Sequence, residues 1–375
     1  MQADIFCRVV DNYGDIGVCW RLARRLSQGF GWDIRLWVDD LASFARIQPG
    51  IADNAARQRC AGVDVVHWSN TPDPTLGARD VVIEAFACDP PDAFLQSMRQ
   101  VHPAWINLEY LSAEAWVESC HGLPSQRPDG LVKHFFFPGF TAATGGLLRE
   151  PGLSAERDAL QASMEQQNNF LHALGVDDAV LSRRRDGART VSLFCYPTAP
   201  VQALVSALAA DSRPSVLLAP IGIAPGLEAA CAEAACAAPG APLLARLPFV
   251  AQPDFDRVLW LSDLNFVRGE DSFIRAAWAA RPLVWQIYPQ DQNTHLEKLE
   301  AWLARYPAPE SAQSLIRAWN APQGEQTVAA ASAALAPDAW HAWAKAARDW
   351  DAKQAALPDL AENLAGFCAD LAKKR

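Results

Sequence analysis

Short apolar runs alternate with amphipathic helical stretches along most of the chain. In the first half the apolar runs predict strands at residues 4–10, 33–38, 63–67, 80–87 and 104–109, and the helical pattern covers residues 17–27, 41–46 and 92–99. Such alternation of strand and helix is typical of a parallel sheet. The same pattern resumes after residue 190. We therefore expect an α/β chain built from two successive Rossmann-like halves.

The pattern also predicts where these halves begin and end. A helical stretch covers residues 154–174, and the basic, polar run 182–187 predicts a solvated linker that includes Arg183, Arg184 and Arg185. Later strands are predicted at 190–196, 215–220, 243–247, 264–267 and 283–286, with helices at 227–237, 255–261, 272–279 and 294–305. We expect one domain over residues 1–182, a second over 183–356, and a helix at 357–375 that packs back on the first.

Length and charge narrow the function classes. A chain of 375 residues is too long for one ordinary core, so two domains are the default. A net charge of -10 argues against nucleic acid as a partner and suits a basic one. Nine cysteines without a CxxC pair indicate buried thiols in a reducing cytosol. No leader-like start and no apolar window of roughly 18 residues is present, so we expect a cytoplasmic protein without a membrane span.

The first candidate reactive corner is the turn between the first strand and the first helix. It reads Asp11-Asn-Tyr-Gly-Asp-Ile-Gly17 and brings two carboxylates and two glycines to the sheet edge where open α/β folds bind ligands. Glycine permits close approach, and the helix N-terminus favours a nearby negative charge. The competing interpretation is an ordinary turn and helix cap, because Asp, Asn and Gly are common in such turns.

A second corner follows a strand of the second half, at Arg268-Gly-Glu-Asp-Ser-Phe273. Amides at a helix start together with an arginine suit a diphosphate, and Glu270 can accept hydrogen bonds from sugar hydroxyls. The alternative is a simple N-cap by Asp271 or Ser272. Upstream, Phe249, Gln252 and Phe255 offer two aromatic faces and an amide for a nucleobase, with core packing as the competing explanation.

Metal chemistry is not expected. Asp254-Phe-Asp256 matches a DxD motif, but it lies at a predicted helix start, where a chance match is the better explanation. The seven histidines lack metal-ligand spacing.

The two corners belong to longer motifs that resemble one protein family. These motifs span residues 4–24 and 265–275, and three others are Trp105-Ile-Asn-Leu-Glu-Tyr-Leu-Ser112, His134-Phe-Phe-Phe-Pro-Gly-Phe140 and Trp285-Gln-Ile-Tyr-Pro-Gln-Asp-Gln-Asn-Thr-His295. Together they are similar to EarP, the bacterial protein-arginine rhamnosyltransferases that modify elongation factor P. The resemblance runs essentially end to end.

The resemblance implies a GT-B glycosyltransferase with two facing Rossmann-like domains and a cleft between them. The acceptor would bind largely on the first domain and dTDP-β-L-rhamnose on the second. The family is inverting and joins rhamnose to a guanidinium nitrogen of elongation factor P, which activates that factor for ribosomes stalled at polyproline. No cofactor is implied beyond the nucleotide-sugar donor. Because arginine stays protonated, carboxylates are the groups suited to engage it.

The resemblance also implies roles for individual residues. Asp15 would orient the attacking nitrogen and receive its proton, Asp11 would hold the same cation, and Glu270 matches an essential glutamate. The turn residues Asn12, Tyr13, Gly14 and Gly17 would shape the acceptor side. Donor-binding candidates are Phe194, Tyr196, Phe249, Gln252, Phe255, Arg268, Asp271, Ser272 and Tyr288.

Two alternatives remain open at this point. One is a GT-B enzyme that acts on a small molecule or another acceptor. The other is a non-catalytic binder of a basic translation-factor domain. A nucleobase pocket favours catalysis, because a mere binder does not need one.

Overall fold

The structure is a computed structural model that describes residues 1–10, 13–69, 73, 75–238, 240–290, 293–321 and 326–373. It divides into two compact units. The first comprises residues 1–151 and 354–375, and the second comprises residues 152–353. Within the described ranges no helix is long and apolar enough to cross a membrane.

The first unit is built around a sheet of eight described strands in the order β3-β4-β2-β1-β5-β6-β8-β7. The inner strands are parallel, and the two edge strands β3 and β7 are antiparallel to their neighbours. The strands are β1 (Gln2–Cys7), β2 (Asp33–Val38), β3 (Arg57–Cys60), β4 (Val63–His67), β5 (Val81–Ala85), β6 (Ala104–Leu108), β7 (Pro124–Gln126) and β8 (Val132–Phe136). The helices are α1 (Gly14–Phe30), α2 (Leu41–Ile47), α3 (Asp92–Val101), α4 (Trp116–Cys120) and α16 (Leu360–Lys373).

Two apolar clusters sandwich this sheet. Ile5 of β1, Trp20 and Leu22 of α1, Phe44 of α2 and Leu364 of α16 share one cluster. The cluster on the other face joins β-strand residues to Phe94, Leu95 and Met98 of α3. Because both faces are covered, every residue of β1 and β2 after the first is buried, and the two charged residues among them, Asp4 and Arg35, form an ion pair with each other.

The second unit contains a parallel sheet whose described strands run in the order β11-β10-β9-β12-β13. They are β9 (Arg189–Leu193), β10 (Ser215–Pro220), β11 (Leu243–Leu247), β12 (Leu264–Arg268) and β13 (Leu283–Gln286). Its helices are α5 (Leu153–Gln161), α6 (Met164–Ala173), α7 (Asp178–Arg185), α8 (Val201–Ala210), α9 (Leu227–Ala237), α10 (Gln252–Leu261), α11 (Asp271–Trp278), α12 (Thr294–Leu303), α13 (Glu310–Asn320), α14 (Thr327–Leu335) and α15 (Pro337–Ala355), and the unit boundary falls in the last turn of α15.

Each sheet has a point where the strand order reverses. In the first unit it lies between β1 and β5, and in the second it lies between β9 and β12. Open α/β sheets bind ligands outside the carboxyl ends of strands at such a point. The topology therefore selects the loop after β1 and the loops after β9 and β12.

The unit boundary differs from the one expected from the sequence. The linker predicted at 182–187 is in part the end of α7, and Arg184 is 2% exposed and hydrogen-bonded to Thr190, Asn168 and Gln167. Helix α5 is also tied to the second unit, because Nη1 of Arg157 donates to the carbonyl of Trp278 at 2.8 Å. The first unit thus ends at residue 151 rather than 182. Most of the run is exposed as predicted, but Arg184 is buried because its hydrogen-bond partners, which come from α6 and β9, close around it.

Strand ends and short edge strands also departed from the prediction. Strand β1 stops at Cys7 rather than at residue 10, because the amide of Val9 donates to Asp39 Oδ1 at 2.9 Å and that of Val10 donates to Asp15. The pattern missed β3, β7 and β8, which are short and only partly buried. It also missed α4, α8, α13 and α14, and it merged α5 and α6 into one helix.

The last helix lies in the first unit. Leu360, Leu364 and Cys368 of α16 are buried in the cluster that contains α1. Arg25 of α1 forms a 2.7 Å ion pair with Asp359 just before α16. The amide of Leu360 donates to the carbonyl of Leu147 at 3.0 Å.

Candidate active site

The loop after β1 positions the predicted catalytic aspartate. Helix α1 begins at Gly14, so Asp15 lies in its first turn, and its side chain is 3% exposed. The backbone N–H of Val10 donates to Asp15 Oδ2 at 2.8 Å. The carboxylate is thereby held across the turn, beside the positive end of the α1 dipole. Asp15 is not the residue that caps the helix, because the N-cap position is Tyr13.

Gly17 and Tyr13 of the same loop are fixed by hydrogen bonds. The amide of Gly17 donates to the carbonyl of Tyr13 at 2.9 Å, which closes the first helical turn. Nη1 of Arg46 donates to the Tyr13 hydroxyl at 2.7 Å and ties α2 to the turn. Asp11 and Asn12 lie outside the described residues, and their predicted roles stay predictions.

The loop after β5 is the feature that sequence patterns missed. Phe86, Ala87 and Asp89 all adopt positive φ (59°, 54° and 45°), which is uncommon for residues other than glycine. Asn107 of β6 supports this turn by accepting the Ala87 amide at 3.1 Å, and its side-chain amide donates to Glu109 Oε1 at 2.5 Å. Strained backbone of this kind clusters at functional sites. The sequence pointed to this loop only indirectly, through the motif at 105–112 that contains Asn107.

In the second unit, Arg268 joins the loops after β9 and β12. Its guanidinium carbon lies 4.7 Å from the ring centre of Phe194 and 4.8 Å from that of Tyr196, within cation–π range. Nη1 of Arg268 donates to the carbonyl of Cys195 at 3.4 Å. These contacts place the predicted phosphate-binding cation against two rings predicted for the nucleobase.

Other donor-side candidates lie around this group. Phe255 of α10 packs edge-on against Phe194 with 5.2 Å between ring centres, and Tyr288 does so against Tyr196 at 5.8 Å. Tyr288 is 46% exposed. The structure therefore brings Phe194, Tyr196, Phe255, Arg268 and Tyr288 together. Phe249 is exposed in the segment between β11 and α10, and Gln252 is buried at the start of α10.

The loop from Arg268 to Ser272 does not have the capping arrangement that was the alternative interpretation of this corner. Helix α11 begins at Asp271, and its N-cap position is Glu270, which makes no side-chain cap bond. Ser272 Oγ accepts the Arg268 amide at 3.2 Å and donates to the Arg268 carbonyl. Neither Asp271 nor Ser272 is the N-cap, and Ser272 fixes the loop instead.

Gly269 is the bend in this loop. It adopts a φ of 60°, and its carbonyl accepts a 2.6 Å hydrogen bond from the indole nitrogen of Trp285. Trp285 is held by Phe273, whose ring stacks on it with 4.1 Å between centres. The stacked rings of Trp285 and Phe273 therefore hold the backbone at Gly269, directly before Glu270.

The thiol inside the aromatic group is not a nucleophile. Cys195 lies between Phe194 and Tyr196 in sequence and is 1% exposed. Burial raises the pKa of the Cys195 thiol to about 12, so it stays protonated at neutral pH. Charged side chains on this side include Arg268, Glu270 and Asp271.

The DxD motif is occupied by protein contacts. Asp256 is 4% exposed and accepts two hydrogen bonds from Arg275, at 2.9 and 2.7 Å. Asp254 pairs with Arg257 at 3.1 Å on the surface of α10. Among the described residues, no group of three or more His, Cys, Asp or Glu is arranged to hold a metal ion.

Comparison with solved structures identifies the fold. The two units have the GT-B glycosyltransferase fold, which is shared with the glycosyltransferase VinC at a TM-score of 0.53 and 12% identity over the full length of both chains.

The family follows from closer relatives. Residues 3–369 match the family described as Elongation-Factor P (EF-P) rhamnosyltransferase EarP. The chain is 49% identical to the protein-arginine rhamnosyltransferase of Pseudomonas putida over 97% of both chains. It also matches a structure solved for EarP-mediated arginine glycosylation of translation elongation factor EF-P, with a TM-score of 0.64 and 34% identity over 98% of this chain and 99% of that one. The chain belongs to the EarP family of glycosyltransferases, which confirms the resemblance and the enzyme class expected from its motifs.

Proposed function

We propose that this enzyme transfers L-rhamnose from dTDP-β-L-rhamnose to the guanidinium of a specific arginine of EF-P, with inversion at the anomeric carbon. The observation that carries the proposal is the buried Asp15 carboxylate, oriented by Val10 at the reversal point of the first sheet. The names of the relatives support an arginine acceptor and EF-P as its carrier. The expected site of action is the cytoplasm, where modified EF-P would relieve ribosomes stalled at polyproline.

The reaction is a single displacement. A guanidinium nitrogen forms a bond to the anomeric carbon of rhamnose, while the bond from that carbon to the diphosphate oxygen breaks and dTDP leaves. The nitrogen loses one proton in the same process. Asp15 orients the nitrogen and accepts that proton, so no prior deprotonation of a group with a pKa above about 12 is needed. Asp11 assists by balancing the charge of the guanidinium.

The donor is held by the second unit. Arg268 and the amides at the start of α11 offset the charge of the diphosphate. Phe194, Tyr196, Phe249, Phe255 and Gln252 surround the thymine, and Tyr288 and Ser272 complete the diphosphate side. Asp271 orients the loop, because a bare carboxylate beside a diphosphate would repel it. Glu270 accepts hydrogen bonds from sugar hydroxyls. No metal ion takes part.

The decisive test is mass analysis of EF-P after incubation with this enzyme and dTDP-rhamnose. A mass increase of one deoxyhexose on a single arginine is the expected result. Binding of EF-P without a mass change would support a non-catalytic binder. Release of dTDP without modified EF-P, in the presence of small-molecule acceptors, would support another GT-B activity.

A further inference from the structure

One patch of the first unit carries two exposed apolar side chains that the chemistry leaves unused. They are Trp116 of α4 and Leu123, which are 51% and 50% exposed, and they adjoin the partly buried Phe135 of β8 and the buried Phe137 just after it. The rings of Trp116 and Phe137 are 5.4 Å apart, and those of Phe135 and Phe137 are 6.3 Å apart. The amide of Phe135 donates to the carbonyl of Leu123 at 3.1 Å. We call these four residues the aromatic strip.

The strip lies on the sheet face that carries the polar network of the β5 and β6 loops. Glu84, Asn107 and Phe135 are partners in register on adjacent parallel strands, so their side chains share a face. Helix α3 covers this face farther along, at Phe6 and Trp105. Exposed tryptophan beside other apolar side chains is typical of a protein interface rather than of a free surface.

The aromatic strip lies close enough to the loop after β1 for one protein partner to contact both. In the sheet, β8 is the third strand from β1, with β5 and β6 between them. At about 4.8 Å per strand, the separation is roughly 14 Å. A protein interface of about 800 Å² per partner is roughly 28 Å across and spans both places. A free arginine bound at Asp15 would not reach the strip.

Charge indicates the kind of partner. Asp89, 68% exposed, lies on the loop after β5, and Glu114 and Glu118 flank Trp116. The nearby cation Lys133 is paired with the buried Glu84 at 2.5 Å and lies 3.7 Å from Asp89, whose charge it partly offsets. An apolar strip with an acidic border complements a domain that presents basic side chains around an apolar contact.

We propose that the aromatic strip docks the folded acceptor domain, with Trp116 as its central anchor and Leu123 beside it. This inference rests on the proposed function, since it takes the acceptor to be the protein that carries the target arginine. Trp116 and Leu123 make no contact with donor or reacting atoms. They increase the affinity of the enzyme for the acceptor domain, and the bound domain then presents its arginine to the site.

The test compares steady-state rhamnosylation of EF-P by wild type, Trp116→Ser, Leu123→Ser and Trp116→Tyr. We expect KM for EF-P to rise about 10-fold or more for Trp116→Ser and about 3-fold or more for Leu123→Ser. The kcat at saturating EF-P should stay within about twofold, donor affinity by calorimetry should not change, and Trp116→Tyr should recover most of the loss. Ile221→Ser, which removes a 70% exposed side chain of the second unit, is the matched control.

An unchanged KM for Leu123→Ser and Trp116→Ser in folded enzyme would overturn the docking surface. If Trp116→Ser does not fold, Leu123→Ser and the protection of amides 116–126 by EF-P in hydrogen exchange decide the question, and unprotected amides would overturn it. A wild-type enzyme that modifies no EF-P would instead overturn the proposed function, so the two failures are distinguishable.

Discussion

The backbone N–H of Val10 donates a 2.8 Å hydrogen bond to Oδ2 of Asp15, five residues farther along the chain. This bond joins the segment that follows β1 to the first turn of α1, and it fixes the direction of a carboxylate that burial would otherwise disfavour. A base that is already oriented needs no rearrangement when the acceptor arrives.

Asp15→Asn should fold and bind dTDP but lose transfer by a factor on the order of 100 or more, because asparagine keeps the shape and removes the proton acceptor. Its amide oxygen can still accept the Val10 N–H. Rhamnosylation of EF-P by mass analysis, with dTDP calorimetry as the folding control, measures the effect. Turnover close to wild type would remove Asp15 from the role of base.

Glu270→Ala should weaken nucleotide-sugar binding by about 10- to 100-fold, the range expected for hydrogen bonds to a charged group, and reduce turnover. The backbone conformation at Glu270 depends on Gly269 and Trp285, which the substitution leaves in place. Calorimetry with dTDP-rhamnose and with dTDP separates a sugar contact from a nucleotide contact. Equal affinity of variant and wild type for dTDP-rhamnose would mean that Glu270 does not contribute to donor binding and acts instead in the transfer step or in maintaining the conformation of the loop.

Activity should survive excess EDTA, because Arg268 and helix amides serve the diphosphate and Asp256 is engaged by Arg275. Asp256→Asn should lower the melting temperature by on the order of 10 °C, since removing one partner of a buried ion pair costs about 3–5 kcal/mol. Asp254→Asn, on the surface, is the matched control and should melt like wild type. Loss of activity on chelation, restored by magnesium or manganese, would revive the metal-binding interpretation of the DxD motif.

Changing the target arginine of EF-P to lysine should abolish transfer. An ammonium cannot make the two-point contact of a planar guanidinium, and while protonated it has no lone pair with which to attack. Free arginine should also be a poor acceptor, because it lacks the docking energy of the folded domain. Rapid modification of the lysine variant, or equal rates on free arginine and EF-P, would indicate a small-molecule glycosyltransferase.

Thermal stability should fall as pH decreases below about 6.5, the ordinary pKa of histidine. Burial lowers the pKa of His121, whose Nδ1 accepts the Phe137 amide at 3.0 Å in the neutral form. A depressed folded pKa means that this stability is present above the unfolded pKa and is lost as pH falls through the folded one. His121→Asn should flatten the decrease, which melting curves between pH 5 and 8 would detect. An identical pH dependence in wild type and variant would exclude His121 as its source.

Local pattern was sufficient for the fold class and for the positions of the two strand–helix junctions that carry the candidate residues. The strands at 33–38 and 63–67 were predicted with the bounds that the structure gives. The pattern of apolar residues that identifies a strand involves only residues that are close together in the sequence. The loop after β1 and the loop after β12 were located for the same reason, since turn residues at a strand–helix junction are a local signal. Family motifs then supplied the enzyme class, which the comparisons confirm.

Only the tertiary structure decided which of these residues meet. Arg184 was predicted to be solvated and is buried against partners from α6 and β9, and Asp256 of the formal DxD motif pairs with Arg275, 19 residues away. The contact of Arg268 with Phe194 and Tyr196 joins two strands that are adjacent in the sheet but more than 70 residues apart in the chain. Such contacts depend on strand order and burial. Neither property can be read from the chemistry of sequence neighbours, whereas helix and strand periodicity can.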